Sequence, residues 1–578
     1  MFFRLMALCA TVALIGTAQA GPVLARSDDG ENGANQLQRI NHIVVIYQEN
    51  HSFDNLFGNW EGVNGRAAAT AAKTIQVGQS GVAFKCLKQV DVNLTSPPLT
   101  ASCTDSTTGT TFSSAFTNAP FAIDAVIPPS ATTCPAPGAF APHGYPNGTG
   151  LPGGCTQDIV HRFYQEQYQL NGGRMNRYTT GSDAAGLTQG FYDSAALPIY
   201  SYLHGEDHPN YAIADDFFQA AFGGSFLNHQ WLIAAATPTW PAAVNNGTAT
   251  DLHSVADVNG MPNNYPLYVS PAGTTVKDQA LTASCAPGPG RGPTPPGVLC
   301  GDYAVNTIQP TYQPYAPGTA LARRLPPQTA PTIGDRLSAA KVDWAWYAGG
   351  WSNANGDKGG PGWTNGTGTT CGPAAAAGAV FPNCPDKLFQ FHHQPFNYYA
   401  AYAPGTAART AHLRDETEFQ SLAASSSEGC TLKPVSFVKP IGADNEHPGY
   451  AAETAGNNHL VSLLKAIENS KCRKDTMVVV TYDEFGGQWD HVTPPGQGGT
   501  AGAHDAFGPG TRIPALVLAP HLQGSFVTDR AQHDTTSILA TIEHRFGLAP
   551  LGARDAAVLD LATVFRAQEV EDETGKSN

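Results

Sequence analysis

Three short apolar runs stand out along the chain, at residues 43–47 (IVVIY), 477–482 (MVVVTY) and 513–518 (IPALVL). Each is bounded by polar or turn residues. Continuous rather than alternating hydrophobicity is typical of strands that are covered on both faces. The three runs therefore predict buried strands, and a shorter run at residues 435–438 (VSFV) predicts another.

Helical periodicity lies between and after these runs. Residues 458–469 (NHLVSLLKAIEN) and 535–546 (TTSILATIEHRF) carry apolar side chains at spacings of three and four. This spacing predicts helices with one buried face. Strand, helix and strand in this order imply a largely parallel central sheet flanked by helices, which is an α/β fold.

Two long stretches differ from this core in composition. Residues 61–155 and 240–330 are rich in Gly, Pro, Ser and Thr, and they hold six of the ten cysteines that follow residue 20. Flexible linkers would not need so many cysteines, so we interpret both stretches as disulfide-pinned excursions from one core. Sequence leaves the connectivity open, but close spacing suggests Cys86 with Cys103, Cys134 with Cys155, Cys285 with Cys300, and Cys371 with Cys384, which leaves Cys430 with Cys472.

The first 20 residues have the pattern of a secretory signal peptide, with Arg4, an apolar stretch and the small-residue sequence Ala18-Gln19-Ala20. We therefore expect an exported bacterial protein, periplasmic or extracellular. Residues 21–39 are expected to form a lead-in, residues 40–550 a single domain that includes the excursions, and residues 551–578 a tail.

Charge and hydropathy limit the partners that this chain can be expected to have. The formal net charge is −15 and there is no basic tract, which argues against nucleic acid. No later apolar run has the length of a membrane-spanning helix. The oligomeric state stays open.

Two of the predicted strands end in carboxylates. Residues 43–47 lead into Glu49 and Asn50, and residues 477–482 lead into Asp483 and Glu484. Ligands of parallel α/β sheets bind beyond the carboxyl ends of the strands. Clustered acids need neutralisation, and carboxylate and amide oxygens suit a divalent cation. The alternative is that each acid caps a turn or a helix.

The segment at residues 221–235 (AFGGSFLNHQWLIAA) carries a candidate nucleophile. Gly223 and Gly224 permit a tight turn, and helical character follows from residue 226. Ser225 would then lie at a helix N-terminus, where free N–H groups favour an anion. An ordinary N-cap serine is the alternative interpretation of the same pattern.

Histidines supply candidate proton-transfer groups. His447 follows the strand predicted at residues 435–438, His161 lies in DIVHRFYQEQ, and His392 and His393 are adjacent in FQFHHQPFNYY. Histidine in such a place could contact a phosphoryl oxygen or protonate a leaving group. The motifs G-x-S-x-G, G-x-x-x-x-G-K-[ST] and H-E-x-x-H are missing from the sequence.

Seven blocks of sequence together resemble the bacterial phosphoesterase family, which unites non-specific phospholipases C with secreted acid phosphatases. They occur in the order of that family between about residues 40 and 548: HIVVIYQENHSFDNLFG, DIVHRFYQEQYQLNGGRMNRY, ADDFFQAAFGGSFLNHQWLI, NEHPGYA, TYDEFGGQWDHVTPP, GPGTRIPALVLAP and TTSILATIEHRFGL. The resemblance implies a fold like that of alkaline phosphatase. It also implies a metal-assisted serine or threonine nucleophile.

Carried over block by block, the resemblance gives each candidate a role. The implied metal ligands are Glu49, Asn50, Asp483, Glu484 and the nucleophile Ser225. The implied active-site histidines are His161, His447 and one of His392 and His393. His51, Ser52 and Asp54 are expected to support the turn after the first strand, and the metal can be calcium, zinc, manganese or magnesium.

The resemblance predicts hydrolysis of phosphomonoesters through a phosphoserine, because GGSFLNHQ is similar to the acid phosphatase branch. The alternative within this chemistry is phospholipase C action on diesters such as phosphatidylcholine, so the expected substrate is a small phosphate ester or a phospholipid headgroup. Two other classes stay open. They are a metal-free serine esterase and a non-catalytic secreted binding protein.

Overall fold

A nine-stranded sheet forms the centre of the protein in the computed structural model. Its strands, labelled in chain order, are β1 (His42–Gln48), β2 (Tyr211–Phe218), β3 (Trp344–Ala348), β4 (Leu413–Asp415), β5 (Val435–Lys439), β6 (Thr476–Tyr482), β7 (Ala515–Leu518), β8 (Phe526–Asp534) and β9 (Gln568–Glu569). The structure describes residues 28–91 (side chains from 33), 94, 99–131, 156–241, 243, 251–271, 275–288, 291–316, 319–365, 385–386, 388–425, 429–449 and 451–570.

The strand order across the sheet is β4-β3-β5-β1-β6-β7-β2-β8-β9. The five strands from β4 to β6 are mutually parallel, and β2 and β8 pair in parallel. Strand β7 runs antiparallel to both of its neighbours, and β9 runs antiparallel to β8. The prediction of a large, mostly parallel sheet is therefore confirmed. The likeness to alkaline phosphatase stays an expectation.

The antiparallel direction of β7 follows from its connection to β6. Residues 483–514 contain one short 3-10 turn but no α-helix. A parallel neighbour needs a crossover of a dozen or more residues that usually contains a helix. Without a crossover helix, the chain turns back beyond the carboxyl end of β6, and β7 runs antiparallel to β6.

Helices pack against the sheet, and several of them also pack against one another in two separate groups. The helices are α1 (Asp28–Leu37), α2 (Phe53–Leu56), α3 (Ala71–Thr74), α4 (Phe163–Leu170), α5 (Pro198–Leu203), α6 (Ser225–Ala234), α7 (Ile333–Ala339), α8 (Trp351–Asn355), α9 (Ala407–His412), α10 (Glu416–Ser425), α11 (Glu453–Glu468) and α12 (Thr536–Phe546). Helix α6 contacts α7 and α12, whereas α11 contacts α5 and α10. No described helix has both the length and the apolar character needed to cross a membrane.

Short 3-10 turns and two-stranded ribbons complete the described structure. The turns are Arg66–Ala68, Gly186–Gln189, Ser194–Ala196, Leu321–Arg323, Phe391–His393, Pro395–Tyr398, Ala400–Tyr402, Lys471–Lys474, Gln497–Gly499 and Leu561–Arg566. The ribbons pair Cys103–Asp105 with Phe112–Ser114, Phe121–Ala122 with Gly190–Phe191, and His253–Ser254 with Leu281–Ala283.

Helix α11 begins five residues before the predicted start at residue 458. Its first turns contain Gly456, and a side chain added there would approach Glu446 Cγ to 2.3 Å. The first turns of the helix therefore contain a small residue that permits close packing and lack an apolar stripe. Hydrophobic periodicity does not reveal this part of the helix.

Three of the five suggested disulfides are present: Cys86–Cys103, Cys285–Cys300 and Cys430–Cys472. The first two pin the excursions, as expected, and the third ties the segment before β5 to the segment before β6. The suggested pairs Cys134 with Cys155 and Cys371 with Cys384 lie outside the described residues, as does the predicted signal peptide.

Candidate functional site

The carboxyl ends of three adjacent strands meet at one edge of the sheet. Strand β1 lies between β5 and β6, and the residues at these ends are Glu49 and Asn50 after β1, Asp483 and Glu484 after β6, and Lys439 at the end of β5. All five side chains are buried. The two predicted acidic strand ends therefore converge, because their strands are neighbours.

The turn after β1 is built for close contact with the turn after β6. Asn50 has a left-handed backbone (φ 63°), and its N–H donates to Asp483 Oδ1 over 3.2 Å. Gly486 is also left-handed, and a Cβ atom there would lie 2.1 Å from the Asn50 carbonyl oxygen. Only glycine permits this approach, which explains the glycine at position 486.

Ser225 is the first residue of α6, and Gly224 is its N-cap. The preceding turn is held by side chains, because Glu166 accepts a hydrogen bond from the Gly223 N–H (2.6 Å) and Asn228 accepts one from Ala221 (2.9 Å). Gly224 has no side chain that could cap the helix. The N-terminal amides of α6 are therefore available to an anion.

The serine turn and the β1 turn meet directly. The hydroxyl of Ser225 donates to Glu49 Oε2 at 3.2 Å and lies 3.5 Å from Asn50 Oδ1. Ser225 is 5% exposed, whereas Glu49 is fully buried. The candidate nucleophile thus lies against two of the candidate metal ligands.

His447 and His161 lie beside this cluster, with ring centroids 6.1 Å apart. The Asn50 side-chain amide donates to His447 Nε2 over 2.7 Å, and His447 Nδ1 donates to the Pro448 carbonyl. His161 Nε2 lies 3.5 Å from Glu484 Oε1. Both predicted histidines are therefore at the site, each next to a different candidate metal ligand.

The structure also distinguishes the two adjacent histidines. His393 Nε2 lies 3.0 Å from Glu49 Oε1. His392 packs its ring edge-on against the His393 ring, with centroids 4.4 Å apart. His393 is therefore the one of the pair that reaches the Glu49 carboxylate.

Two residues at the site were not found from the sequence. Lys439 forms an ion pair with Glu49 Oε1, and His229 stacks on His393 with a centroid distance of 5.0 Å. Lys439 could have been found from its position, because it follows the apolar run at residues 435–438 just as the acidic residues follow their predicted strands. His229 could have been found from its spacing, because it lies four residues, or one helical turn, after Ser225.

Burial makes the acidic cluster costly in the absence of a cation. Burial, followed by the charge of Glu49, raises the pKa of Asp483 to about 8. Burial and the charge of Asp483 hold the pKa of Glu484 well above its ordinary value, and burial raises the pKa of Glu49 against the opposing effect of Lys439. The Lys439 ammonium thus offsets the charge of Glu49 and Asp483 only in part.

The donor set fits a divalent cation. The buried oxygens Asp483 Oδ2 and Glu484 Oε1 have no hydrogen-bond partner among the described residues. Glu49 Oε2 and Asn50 Oδ1 both face the Ser225 hydroxyl. Hard cations prefer such carboxylate and amide oxygens, and a bound cation would compensate the repulsion in the cluster.

A buried ionic network holds the two ligand-bearing turns together. Arg512 contacts Asp54, Asp490 and Asp215, and the His491 N–H donates to Asp54 Oδ2 over 2.9 Å. This network accounts for Asp54, which was expected to support the turn. Ser52 caps α2 and His51 bonds to Asn55 and to the carbonyl of Glu446, so both also support it.

Both excursions approach the segment that carries His161. Asp91 of the first accepts a hydrogen bond from the Gln157 N–H, and Asp278 of the second forms an ion pair with Arg162. His161 and the neighbouring Asp158 are partly exposed, with side-chain exposures of 18% and 35%. Solvent thus reaches the cluster from the side that the excursions flank.

Comparisons with known proteins show what this chain is similar to. A sequence model of the phosphoesterase family matches residues 40–549. "Phospholipase C A" of Mycobacterium tuberculosis is 30% identical over 155 residues, which is 23% of this chain and 29% of the relative. "Non-hemolytic phospholipase C" of Burkholderia pseudomallei is 35% identical over 136 residues (20% and 19%). "Non-specific phospholipase C6" of Arabidopsis thaliana is 31% identical over 138 residues (21% and 26%).

The matched segments span less than a third of each of these relatives.

Proposed function

We propose that this chain, which belongs to the phosphoesterase family, hydrolyses phosphomonoesters through a phosphoserine formed on Ser225. Membership of this family indicates that the protein is a hydrolase of phosphoric ester bonds. The observation that carries the finer proposal is the Ser225 hydroxyl at the start of α6, 3.2 Å from Glu49 Oε2. This arrangement gives a phosphate target both a nucleophile and a helix N-terminus.

Glu49, Asn50, Asp483 and Glu484, together with the Ser225 hydroxyl, would hold a divalent cation. When bound, the cation supplies positive charge that lowers the pKa of the serine hydroxyl and stabilises the phosphoryl oxygens. Its identity among calcium, zinc, manganese and magnesium is left open by this ligand set.

The reaction has two steps. Ser225 Oγ attacks phosphorus in line with the leaving oxygen, the P–O bond to the alcohol breaks, and the phosphoryl group is transferred to the serine. Water then attacks the phosphoserine and releases phosphate and the free hydroxyl. The amides at the start of α6 stabilise negative charge on the equatorial oxygens in both steps.

The leaving alcohol needs a proton, and His161 is better oriented to supply it than His447. His447 Nδ1 donates to Pro448, so its Nε2 lone pair accepts from the Asn50 amide. That contact supports a positioning role, because it turns Asn50 Oδ1 toward Ser225. His161 is partly exposed and its Nε2 lies 3.5 Å from Glu484 Oε1, so a leaving group that enters from solvent can reach this ring, although burial lowers its pKa.

Phospholipase C action is a second candidate, because the matched relatives carry that name. A phosphodiester would undergo the same first step on Ser225, so the catalytic groups do not separate the two substrates. The excursions flanking His161 would select between them. For either substrate we propose an exported enzyme, which the three disulfides support.

The test compares p-nitrophenyl phosphate with p-nitrophenyl phosphorylcholine, using one preparation of the full chain and each metal in turn. The proposal expects a higher kcat/KM for the monoester. A higher value for the diester would establish the second candidate instead. Hydrolysis that survives complete chelation would indicate a metal-free esterase, and the lack of phosphate release from any ester would indicate a binding protein.

A further inference from the structure

A second set of potential metal ligands lies next to the proposed cation site. A carboxylate oxygen of Glu49 and ring nitrogens of His229 and His393 lie within 4.8 Å of one another, and all three residues are buried. One glutamate and two histidines are a set that zinc uses in proteins. Neither the proposed serine chemistry nor its cation uses the two histidine nitrogens.

His229 has a lone pair available at this place. Its Nδ1 lies 2.7 Å from the Ser225 carbonyl oxygen, which can only accept, so Nδ1 carries the proton. In the neutral ring the Nε2 atom then carries the lone pair, and this buried atom has no hydrogen-bond partner in the part of the chain that the structure describes.

Lys439 already brings a positive charge to this place. It is 1% exposed and forms an ion pair with Glu49 Oε1, the same oxygen that His393 approaches. The ammonium is further held by the Gln48 carbonyl at 3.4 Å and by the face of the Tyr47 ring at 5.3 Å. Burial lowers the pKa of His229, and the charge of Lys439 lowers it further.

We propose that the Lys439 ammonium takes the place of a second metal ion, so that the site holds one divalent cation, next to Ser225. Lys439 is then a positioning residue for Glu49. Together with His393 it holds Oε1, which leaves Oε2 directed at Ser225. A second cation among Glu49, His229 and His393 would be repelled by the ammonium at contact distance. The inference rests on the proposed function, which places the first cation.

The test counts zinc ions bound by the full chain. Protein treated with chelator is loaded with zinc, dialysed, and analysed for zinc per chain by mass spectrometry. We expect one ion in the wild type and two in Lys439→Met, because the neutral side chain of similar length frees Glu49, His229 and His393. The double variant Lys439→Met/His229→Asn should return to one ion, since asparagine keeps a donor for the Ser225 carbonyl and removes Nε2.

Matched variants keep the count interpretable. Lys433→Met removes a lysine that pairs with the exposed Asp343 before the same strand, and it should keep one ion. His229→Asn in the wild-type background should also keep one ion, and this arm does not depend on the folding of Lys439→Met. Two ions in the wild type, one ion in folded Lys439→Met, or loss of the ion in His229→Asn would each overturn the proposal.

The zinc count is measured without substrate. Lack of phosphoesterase activity would therefore refute the proposed function, while the count would still decide the role of Lys439.

A second readout is kinetic. With one equivalent of metal, Lys439→Met should lower kcat at least tenfold with little change in KM, because Glu49 loses its orientation. An unchanged kcat would contradict the positioning role.

Discussion

The hydroxyl of Ser225 donates to Glu49 Oε2 over 3.2 Å, although 176 positions separate the two residues along the chain. The contact joins the start of α6 to the turn after β1. Each residue alone would be ordinary, since serine caps helices and glutamate follows many strands. Their contact in a buried, acidic cluster gives both of them a chemical role in the proposed reaction.

Replacement of the proposed nucleophile tests that role most directly. Ser225→Ala should lower kcat for p-nitrophenyl phosphate roughly a thousandfold or more, because no other hydroxyl replaces the attacking atom. At saturating metal, the metal content and the unfolding temperature should stay near the wild type, because the four other ligands remain. Ser421→Ala, on the exposed face of α10, is the matched control and should keep full activity. Turnover within tenfold of the wild type in Ser225→Ala would refute the assignment.

Loss of a metal ligand should affect the metal before the fold. Asp483→Asn and Glu49→Gln each remove one negative charge from the cluster, so the affinity for the divalent ion should fall at least tenfold. Equilibrium dialysis with mass spectrometric metal analysis measures this. Asp343→Asn removes an exposed carboxylate and should leave the affinity unchanged. If Asp483→Asn and Glu49→Gln bound the metal as tightly as Asp343→Asn and the wild type, Asp483 and Glu49 would not be metal ligands.

The two histidines can be separated by the leaving group. If His161 donates the proton, His161→Gln should slow the hydrolysis of an alkyl phosphate much more than that of p-nitrophenyl phosphate, whose leaving group needs little help. His447→Gln should slow both substrates equally and weaken metal binding, because Asn50 loses its anchor. The opposite pattern would assign proton donation to His447.

The Arg512 network should contribute strongly to stability. Arg512→Met leaves Asp54, Asp490 and Asp215 buried without their shared cation, so the free energy of unfolding should fall by about 3–5 kcal/mol. Arg530→Met removes an arginine that is 62% exposed and pairs with the same Asp215. It should change the free energy by less than about 1 kcal/mol. Chemical denaturation of both variants measures the difference.

Glu453 should make stability depend on pH. Burial raises its pKa from 4.5 to about 8, so the folded state binds a proton more tightly than the unfolded chain. The contribution of this residue is complete below pH 4.5 and is lost as the pH rises toward 8. Glu453→Gln has no such group and should lose roughly 3–4 kcal/mol less stability between pH 5 and pH 8. Identical pH profiles for variant and wild type would contradict this prediction.

Strands β1, β5, β6 and β7 were readable from the sequence, because short, continuous apolar runs rich in Val and Ile and bounded by turns favour buried strands. Strands β2 and β3 were not. Strand β2 (YAIADDFF) contains Asp215 and Asp216, and Asp215 is partnered by Arg512 from a distant part of the chain. Strand β3 (WAWYA) is a continuous apolar run but contains no Val or Ile. Both segments form strands because they pair with strands that are distant along the chain.

The sequence by itself determined the residue types of the candidate site and the local elements that present them: carboxylates and an amide after buried strands, and a serine after two glycines. Only the tertiary structure decided that β1 lies between β5 and β6, which brings Glu49, Asp483 and Lys439 to one edge of the sheet. Local patterns report what a segment can form, whereas strand order depends on packing and pairing over hundreds of residues. Lys439 remained hidden for this reason, since its charge acquires meaning only beside Glu49.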